Sequence, residues 1–188
     1  STVKPTPDGA WILTPDDLED FALGAAFLGA GGGGDPRSSV LRALQAMENG
    51  HPVRVLDVAD ISDEMTIAPC GRVGAPTVMD EKLPSGREAE LGLRKVEDII
   101  GRPVEAIYPI EIGGSNGLEP IITAAETGLF VLDCDGMGRA FPESQMVTFN
   151  IYGESACPAV ATDEHGNVVI LYTKTNTDEE RFVRAISV

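Results

Sequence analysis

The chain has 188 residues, with 14 Lys and Arg against 30 Asp and Glu, a formal net charge of −16 at pH 7. At 43% hydrophobic and 23% charged it has the composition of a globular protein long enough to bury a core, one domain or one domain and part of another, which excludes wholesale disorder. So negative a charge repels the phosphate backbone, and no Lys or Arg run offsets it locally. Neither nucleic acid nor an anionic membrane surface is therefore expected as a partner.

No stretch of about 18 apolar residues occurs, and the N-terminus lacks a basic region followed by an apolar run, so neither a spanning helix nor a signal peptide is expected. The expected location is cytoplasmic. Cys70, Cys134 and Cys157 are an odd set at wide spacing with no C-x-x-C, which fits neither a disulfide framework nor a structural zinc site; three buried thiols are expected. With two histidines, any metal site would be built mainly from carboxylates.

In chain order, Thr14-Pro15-Asp16-Asp17 reads as a helix start, with Thr14 as N-cap, Pro15 at the first helical position and acids in the first turn. Leu18, Phe21, Ala22, Ala25 and Leu28 line one face until GGGGDP (Gly31 to Pro36) interrupts it. Asp35 and Pro36 open a second helix through Leu41, Leu44 and Met47, ended by Gly50. From Val53 the period changes to two, and VRVLDV and MTIAP read as strands. A Gly/Pro loop comes next, then a helix from Glu88 to Ile100, a strand VEAIYPIEI (Val104 to Ile112), a GGSNG turn, a helix from Pro120 to Thr127, and a strand LFVLD (Leu129 to Asp133). Past Phe141, MVTFNIYG and the pair AVATDEHGNVVILYTK read as antiparallel strands, the pair turning at His165-Gly166-Asn167. Thr177 and Glu180 form a capping box for a last helix carrying Phe182, Val183 and Ile186.

Strands alternating with helices predict a three-layer α/β domain with a mixed, partly parallel sheet over residues 1–152. Residues 153–188 then form a β-hairpin and helix leading into an absent C-terminal domain. A chain cut at such a boundary is expected to expose apolar surface that its missing half, or a second copy in a homo-oligomer, would cover.

The glycines fall in four clusters, at Gly31 to Gly34, Gly71/Gly74, Gly113/Gly114/Gly117 and Gly136/Gly138, three of them directly after a predicted strand. Loops leaving the carboxyl ends of parallel strands converge on one crevice where ligands bind, so these loops are the candidate site. For any single cluster, a tight turn or close helix packing is the readier account; the coincidence of three clusters is what points to a site. GGGGDP precedes a helix N-terminus whose N–H groups suit an anion, although Asp35 competes for them. Lacking both G-x-G-x-x-G after a strand and G-K-[ST], it implies no nucleotide. Gly113-Gly114-Ser115-Asn116-Gly117 spells G-x-S-x-G, with Asp133, Asp135 and His165 following in hydrolase order. Pro120 and the hairpin position of His165 weigh against a nucleophile elbow.

The densest chemistry is VLDCDGMGRAFPE. Alternation places Asp133 and Asp135 on one side of an extended chain, with Arg139 and Glu143 following and Glu111 ending the preceding strand. Two such carboxylates either share a divalent metal ion or divide as acid and base; alternatively the pair is simply solvated, or Asp135 caps a turn with Arg139 as counter-ion. Cys134 faces the other way and reads as packing, while Cys70, before Gly71, is the better thiol candidate.

The series GAAFLGAGGGGDP, GAPTVMDEKLPSG, IEIGGSNGLEP and VLDCDGMGRAFPE, spanning about Leu18 to about Gly166, resembles the S-methyl thiohydantoin desulfurase family, related to hydantoinase and oxoprolinase proteins. The resemblance implies a cytoplasmic hydrolase acting on a five-membered cyclic ureide or thio-ureide, hydantoin-like, from which sulfur leaves as a thiol. It implies as motif positions Gly31 to Asp35, Glu81, Lys82, Glu111, Gly113, Gly114, Asn116, Asp133, Asp135, Gly136, Gly138, Arg139, Pro142 and Glu143. In the family the position of Ser115 varies and that of Cys134 need not be cysteine, which weakens both as nucleophiles. Family members are longer and carry a second, C-terminal domain.

The expectations for the site are therefore Asp133, Asp135, Glu111 and Arg139 as catalytic residues. Gly32, Gly33, Gly113, Gly114, Asn116 and Gly136 contact a small-molecule substrate, and a divalent ion between Asp133 and Asp135 is one option. The competing class is a non-catalytic interaction or accessory domain of a hydantoinase-type assembly, for which the acidic charge and short chain argue.

Overall fold

The computed structural model describes Thr6, residues 8–74 and residues 86–187. The chain falls into two compact units, one of residues 1–71 with 104–141 and the other of residues 72–103 with 142–188.

In the first unit, the Asp17 carboxylate accepts the Thr14 N–H at 2.8 Å and hydroxyl at 2.6 Å, closing a turn over Pro15–Asp17. The turn runs into α1 (Leu18–Gly29). Asp35 Oδ1 accepts the Arg37 N–H at 3.0 Å and opens α2 (Pro36–Asn49). Both starts follow from local chemistry alone, a short polar cap followed by proline where no N–H is needed.

Five strands form the sheet: β1 (Trp11–Leu13), β2 (Val53–Leu56), β3 (Ile67–Cys70), β4 (Ala106–Pro109) and β5 (Phe130–Leu132), in the order β1-β2-β5-β4-β3. All neighbours run parallel except β1, which is antiparallel to β2. This is the α/β class with the mixed sheet that the alternation predicts, expected partly parallel and found mostly so. β1 went unforeseen because three residues are too few to show a period.

One row runs across the sheet through Trp11, Val55, Val131, Ile107 and Ala68. By alternation the residues on either side of this row, Leu56, Leu132, Ala106 and Tyr108, face the opposite way, where Ala10, Ile61 and Met65 pack on them. α3 (Glu88–Ile100) belongs to the second unit. α4 (Glu119–Thr127) lies over β2, β4 and β5 and is buried from Glu119 to Ala125, with α2 packed on its outer side. A helix enclosed between a sheet and another helix must be apolar nearly all round, as PIITAA is.

In the second unit, β6 (Ala159–Thr162) and β7 (Val168–Leu171) form the expected hairpin, and α3 packs on β6, with Thr162 Oγ1 donating to the Glu88 carbonyl at 2.8 Å. The hairpin thus shares its unit with a helix from the middle of the chain. Asp163 holds the turn by accepting the N–H groups of His165 and Asn167 at 3.0 and 2.8 Å.

Two local expectations are corrected here. MVTFNIYG is no strand: Thr148–Ile151 form a single helical turn, α5, and the Tyr152 N–H donates to the Thr148 and Phe149 carbonyls. Phe149 and Ile151 are 46% and 80% exposed, so no sheet face rewards an extended chain there. The last helix, α6 (Asn176–Ile186), is capped by Thr175 rather than Thr177, Thr175 Oγ1 accepting the Asp178 N–H at 3.1 Å. Glu180 is turned instead toward Ser144.

The three cysteines are free and each is half-buried as a residue, with the Cys70 thiol group itself enclosed. No helix among the described residues is long and apolar enough to cross a membrane.

Candidate functional site

The four glycine-rich loops of the sequence meet at the carboxyl end of the parallel strands. The β4 and β5 loops are joined through the Gly136 N–H, which donates to the carbonyls of Pro109 and Ile110 at 3.4 and 3.1 Å. Asp135 Oδ2 accepts the N–H of Ile112 at 2.9 Å and of Gly138 at 2.7 Å. The β3 loop joins through the Ile110 N–H, 2.9 Å from the Cys70 carbonyl, and a Cβ on Gly71 would lie 2.7 Å from the Ile110 side chain.

The turn between α1 and α2 hangs on the same point. The Gly33 carbonyl accepts both the N–H and the hydroxyl of Ser115, at 2.8 and 2.7 Å, and the Ala140 N–H reaches the Leu28 carbonyl at 3.1 Å. Glycine is required here for two different reasons. Gly33 has φ +75°, and a Cβ on it would stand 2.8 Å from the Gly113 carbonyl carbon. Gly113 has ordinary backbone angles, φ −75°, but a Cβ on it would stand 2.8 Å from both Ala140 N and Gly29 Cα. Gly32 is likewise close to Ala140, a Cβ there falling 3.2 Å from the Ala140 methyl.

Glu111 is the buried carboxylate of this junction, 7% exposed. Its Oε1 accepts the Asn116 amide at 2.6 Å and its Oε2 the Phe141 N–H at 3.1 Å. Asn116 sits in a 3-10 turn, Gly114–Leu118, that continues directly into α4. The strand–turn–helix context of a G-x-S-x-G motif is therefore present, yet Ser115 is 4% exposed and its hydroxyl donates to a backbone carbonyl. His165 stands in the hairpin turn beside Glu164, in the second unit.

Asp133 is exposed at the end of β5, and its N–H donates to the Leu56 carbonyl at 2.9 Å. Arg139 is exposed too, its guanidinium carbon 5.2 Å from the centre of the Phe141 ring and its Nε 3.2 Å from the Ala140 carbonyl. Asp135 thus takes backbone N–H groups, not Arg139, as its partners. Among the described residues no three His, Cys, Asp or Glu side chains gather as a metal cage. With Asp135 Oδ2 engaged by two amides and Asp133 in solvent, the pair does not fit a preformed divalent site.

Burial pushes the Cys70 thiol far above its ordinary range, with the Glu119 charge adding to it. Burial, then Asp135 and Asp133, push Cys134 up to about 11. Both are protonated at neutral pH, which removes them as nucleophiles without a base. Glu81 and Lys82 lie outside the described residues, and Pro142 and Glu143 fall in the second unit.

The sequence reading missed Glu119. It is 5% exposed at the first turn of α4 and paired with Arg42 of α2 at 2.6 Å. Its only signal was an acidic residue directly before Pro120, where the predicted helix starts, and Arg42 is far from it in sequence.

Comparison with solved structures finds a protein from Chromobacterium violaceum, determined by X-ray crystallography in a structural genomics programme, with a TM-score of 0.78 and 29% identity over 93% of this chain. The match covers 50% of that protein, so this chain spans about half the length of its structural relative. No curated protein matches it. The family model described as S-Me-THD-like, N-terminal domain, S-Me-THD standing for the S-methyl thiohydantoin desulfurase of the sequence resemblance, matches residues 16–173. That span holds every glycine loop, Glu111, Asn116, Asp133, Asp135 and Arg139, and the chain belongs to this family.

Proposed function

We propose that the junction of loops at the carboxyl end of β3, β4 and β5 is the active site of a hydrolase for five-membered cyclic thio-ureides such as S-methyl thiohydantoin. The observation that carries this reading is Glu111, a buried carboxylate oriented by two neutral donors in a domain of the S-Me-THD-like family. A general base must be held in place and within reach of a water, and the Asn116 amide and the Phe141 N–H fix its two oxygens.

Hydrolysis adds water to the ring carbon bearing the S-methyl group. Glu111 takes one proton of the attacking water as the carbon–oxygen bond forms and the carbon–nitrogen π pair moves onto the ring nitrogen, and returns it to sulfur as the carbon–sulfur bond breaks; the remaining hydroxyl proton passes to the ring nitrogen as the carbonyl forms. The products are the ring carbonyl and methanethiol. Arg139, exposed beside Phe141, binds a ring carbonyl, and Asp133, exposed at the end of β5, accepts a ring N–H. Asp135 is a positioning residue that fixes the β4 and β5 loops through the Ile112 and Gly138 amides. Gly113 and Gly114 let the β4 loop close on Gly29, Gly33 and Ala140, and with Gly32 and Gly136 they shape the wall on which the flat ring rests.

The test incubates the full-length protein with S-methyl thiohydantoin and with hydantoin, following thiol release and ring opening. Turnover of the thiohydantoin is expected, and Glu111→Gln should lower kcat by at least about a hundredfold in a protein that keeps its circular dichroism. A folded Glu111→Gln protein with near-normal kcat removes Glu111 from the chemistry, and failure of the wild type to turn over either compound overturns the reading.

A further inference from the structure

The strand β7 sits where its sequence does not belong. Val168-Val169-Ile170-Leu171-Tyr172 is an unbroken apolar and aromatic run, the composition of a strand covered on both sides. Yet β7 is the edge of a two-stranded sheet whose other strand, β6, carries the contact with α3. Val169, Ile170 and Tyr172 are 37%, 43% and 69% exposed. Proteins blunt such edges with lysine, proline, inward charges or bulges, and residues 168–172 contain no charged residue and no proline.

The phase of the ladder shows which backbone groups are open. The Asp163 N–H donates to the Asn167 carbonyl, and the pairs Thr162–Val168, Ala161–Val169 and Val160–Ile170 continue in register. Hydrogen-bonded and non-bonded pairs alternate along an antiparallel ladder, so Val169 and Leu171 bond to β6 while Val168, Ile170 and Tyr172 turn their N–H and C=O outward. Among the described residues no hydrogen bond takes up these outward groups.

We propose that the outer edge of β7 is the seat of a strand from the polypeptide beyond this domain in the longer protein, which extends the β6–β7 sheet across the domain boundary. Two observations select this occupant over a second copy. The family model is an N-terminal domain, and the structural relative is about twice as long as the part this chain matches. Moreover α6, the next element after β7, is itself incompletely covered, with Phe182 and Ile186 48% and 45% exposed. In a protein as long as that relative, the polypeptide following α6 would supply the strand. The strand addition does not depend on the proposed chemistry.

The experiment uses the full-length protein at two concentrations a hundredfold apart and reads amide hydrogen exchange at Ile170 and Tyr172. Slow exchange at both concentrations is expected, together with cross-linking within one chain from a photoreactive label on Tyr172→Cys to a residue beyond 188. Fast exchange at Ile170 and Tyr172 overturns the proposal. So does protection that grows with concentration, or cross-linking between two chains, since either makes a second copy the occupant.

Discussion

Glu179 and Glu180 are adjacent in α6 and both buried, but their environments push them in opposite directions. For Glu180, burial alone would raise the carboxyl, but bonds from Arg184 Nε at 2.5 Å and the Ser144 N–H at 2.9 Å outweigh it and hold the group below 4.5. Glu179 has the Ser144 hydroxyl at 2.9 Å, and burial, helped by the Glu180 charge, raises it above 4.5. A depressed acid contributes stability that is present above its unfolded pKa and lost as pH falls through the folded one; a raised acid opposes folding over the higher range. Glu180→Gln should therefore cost about 1–3 kcal/mol at pH 7 in urea unfolding, the gap closing as pH falls below about 4.5. Glu179→Gln should leave stability at pH 7 unchanged or higher. Equal losses for both variants would show that the two groups are not separately tuned.

Among elements, the turn between α1 and α2 is tied to the candidate site through Ser115 and Gly113, and its glycines differ in kind. Gly31 has φ +92° and open space where a side chain would go, so Gly31→Ala should cost only the left-handed backbone term, about 1–2 kcal/mol. Gly33→Ala adds a collision with the Gly113 carbonyl, and one of the two loops must move. A loss above about 3 kcal/mol, or a folded protein with the α1–α2 turn detached from Ser115, is expected. Thermal unfolding of the two variants decides it, and similar midpoints would contradict the close approach. The same backbone contacts explain why glycine clusters were visible in the sequence as a shared feature although their partners were not: a missing side chain is a local fact, and the group that comes close enough to demand it is not.

At the scale of the molecule, the charge of −16 repels itself in the compact state, and exposed charges further apart than a Debye length, about 10 Å at 0.1 M salt, are largely screened. The thermal midpoint should therefore rise between roughly 10 mM and 0.3 M sodium chloride, reaching the screened regime near the upper value. A midpoint that falls with added salt would mean that attractive pairs such as Arg42–Glu119 dominate.

The sequence by itself determined the α/β class, the starts of α1 and α2, and the span of α3. It also determined the β6–β7 hairpin and the loops after β3, β4 and β5. Each of these rests on signals within one or two turns of chain, namely caps, proline and glycine placement, and the switch of hydrophobic period from 3.6 to two. The short β1 strand and the helical turn at Thr148–Ile151 were decided by tertiary structure, because segments this short take whichever conformation their surroundings reward. The roles open to the site residues were decided the same way. Asp133 and Asp135 alternate identically in sequence, but one meets solvent and the other two backbone amides of neighbouring loops. Glu111 gained its setting from Asn116, five residues on, and from Phe141, which a different strand delivers. A carboxylate's chemistry is set by the donors and solvent around it, and only the folding of distant loops onto one sheet end brings those donors there.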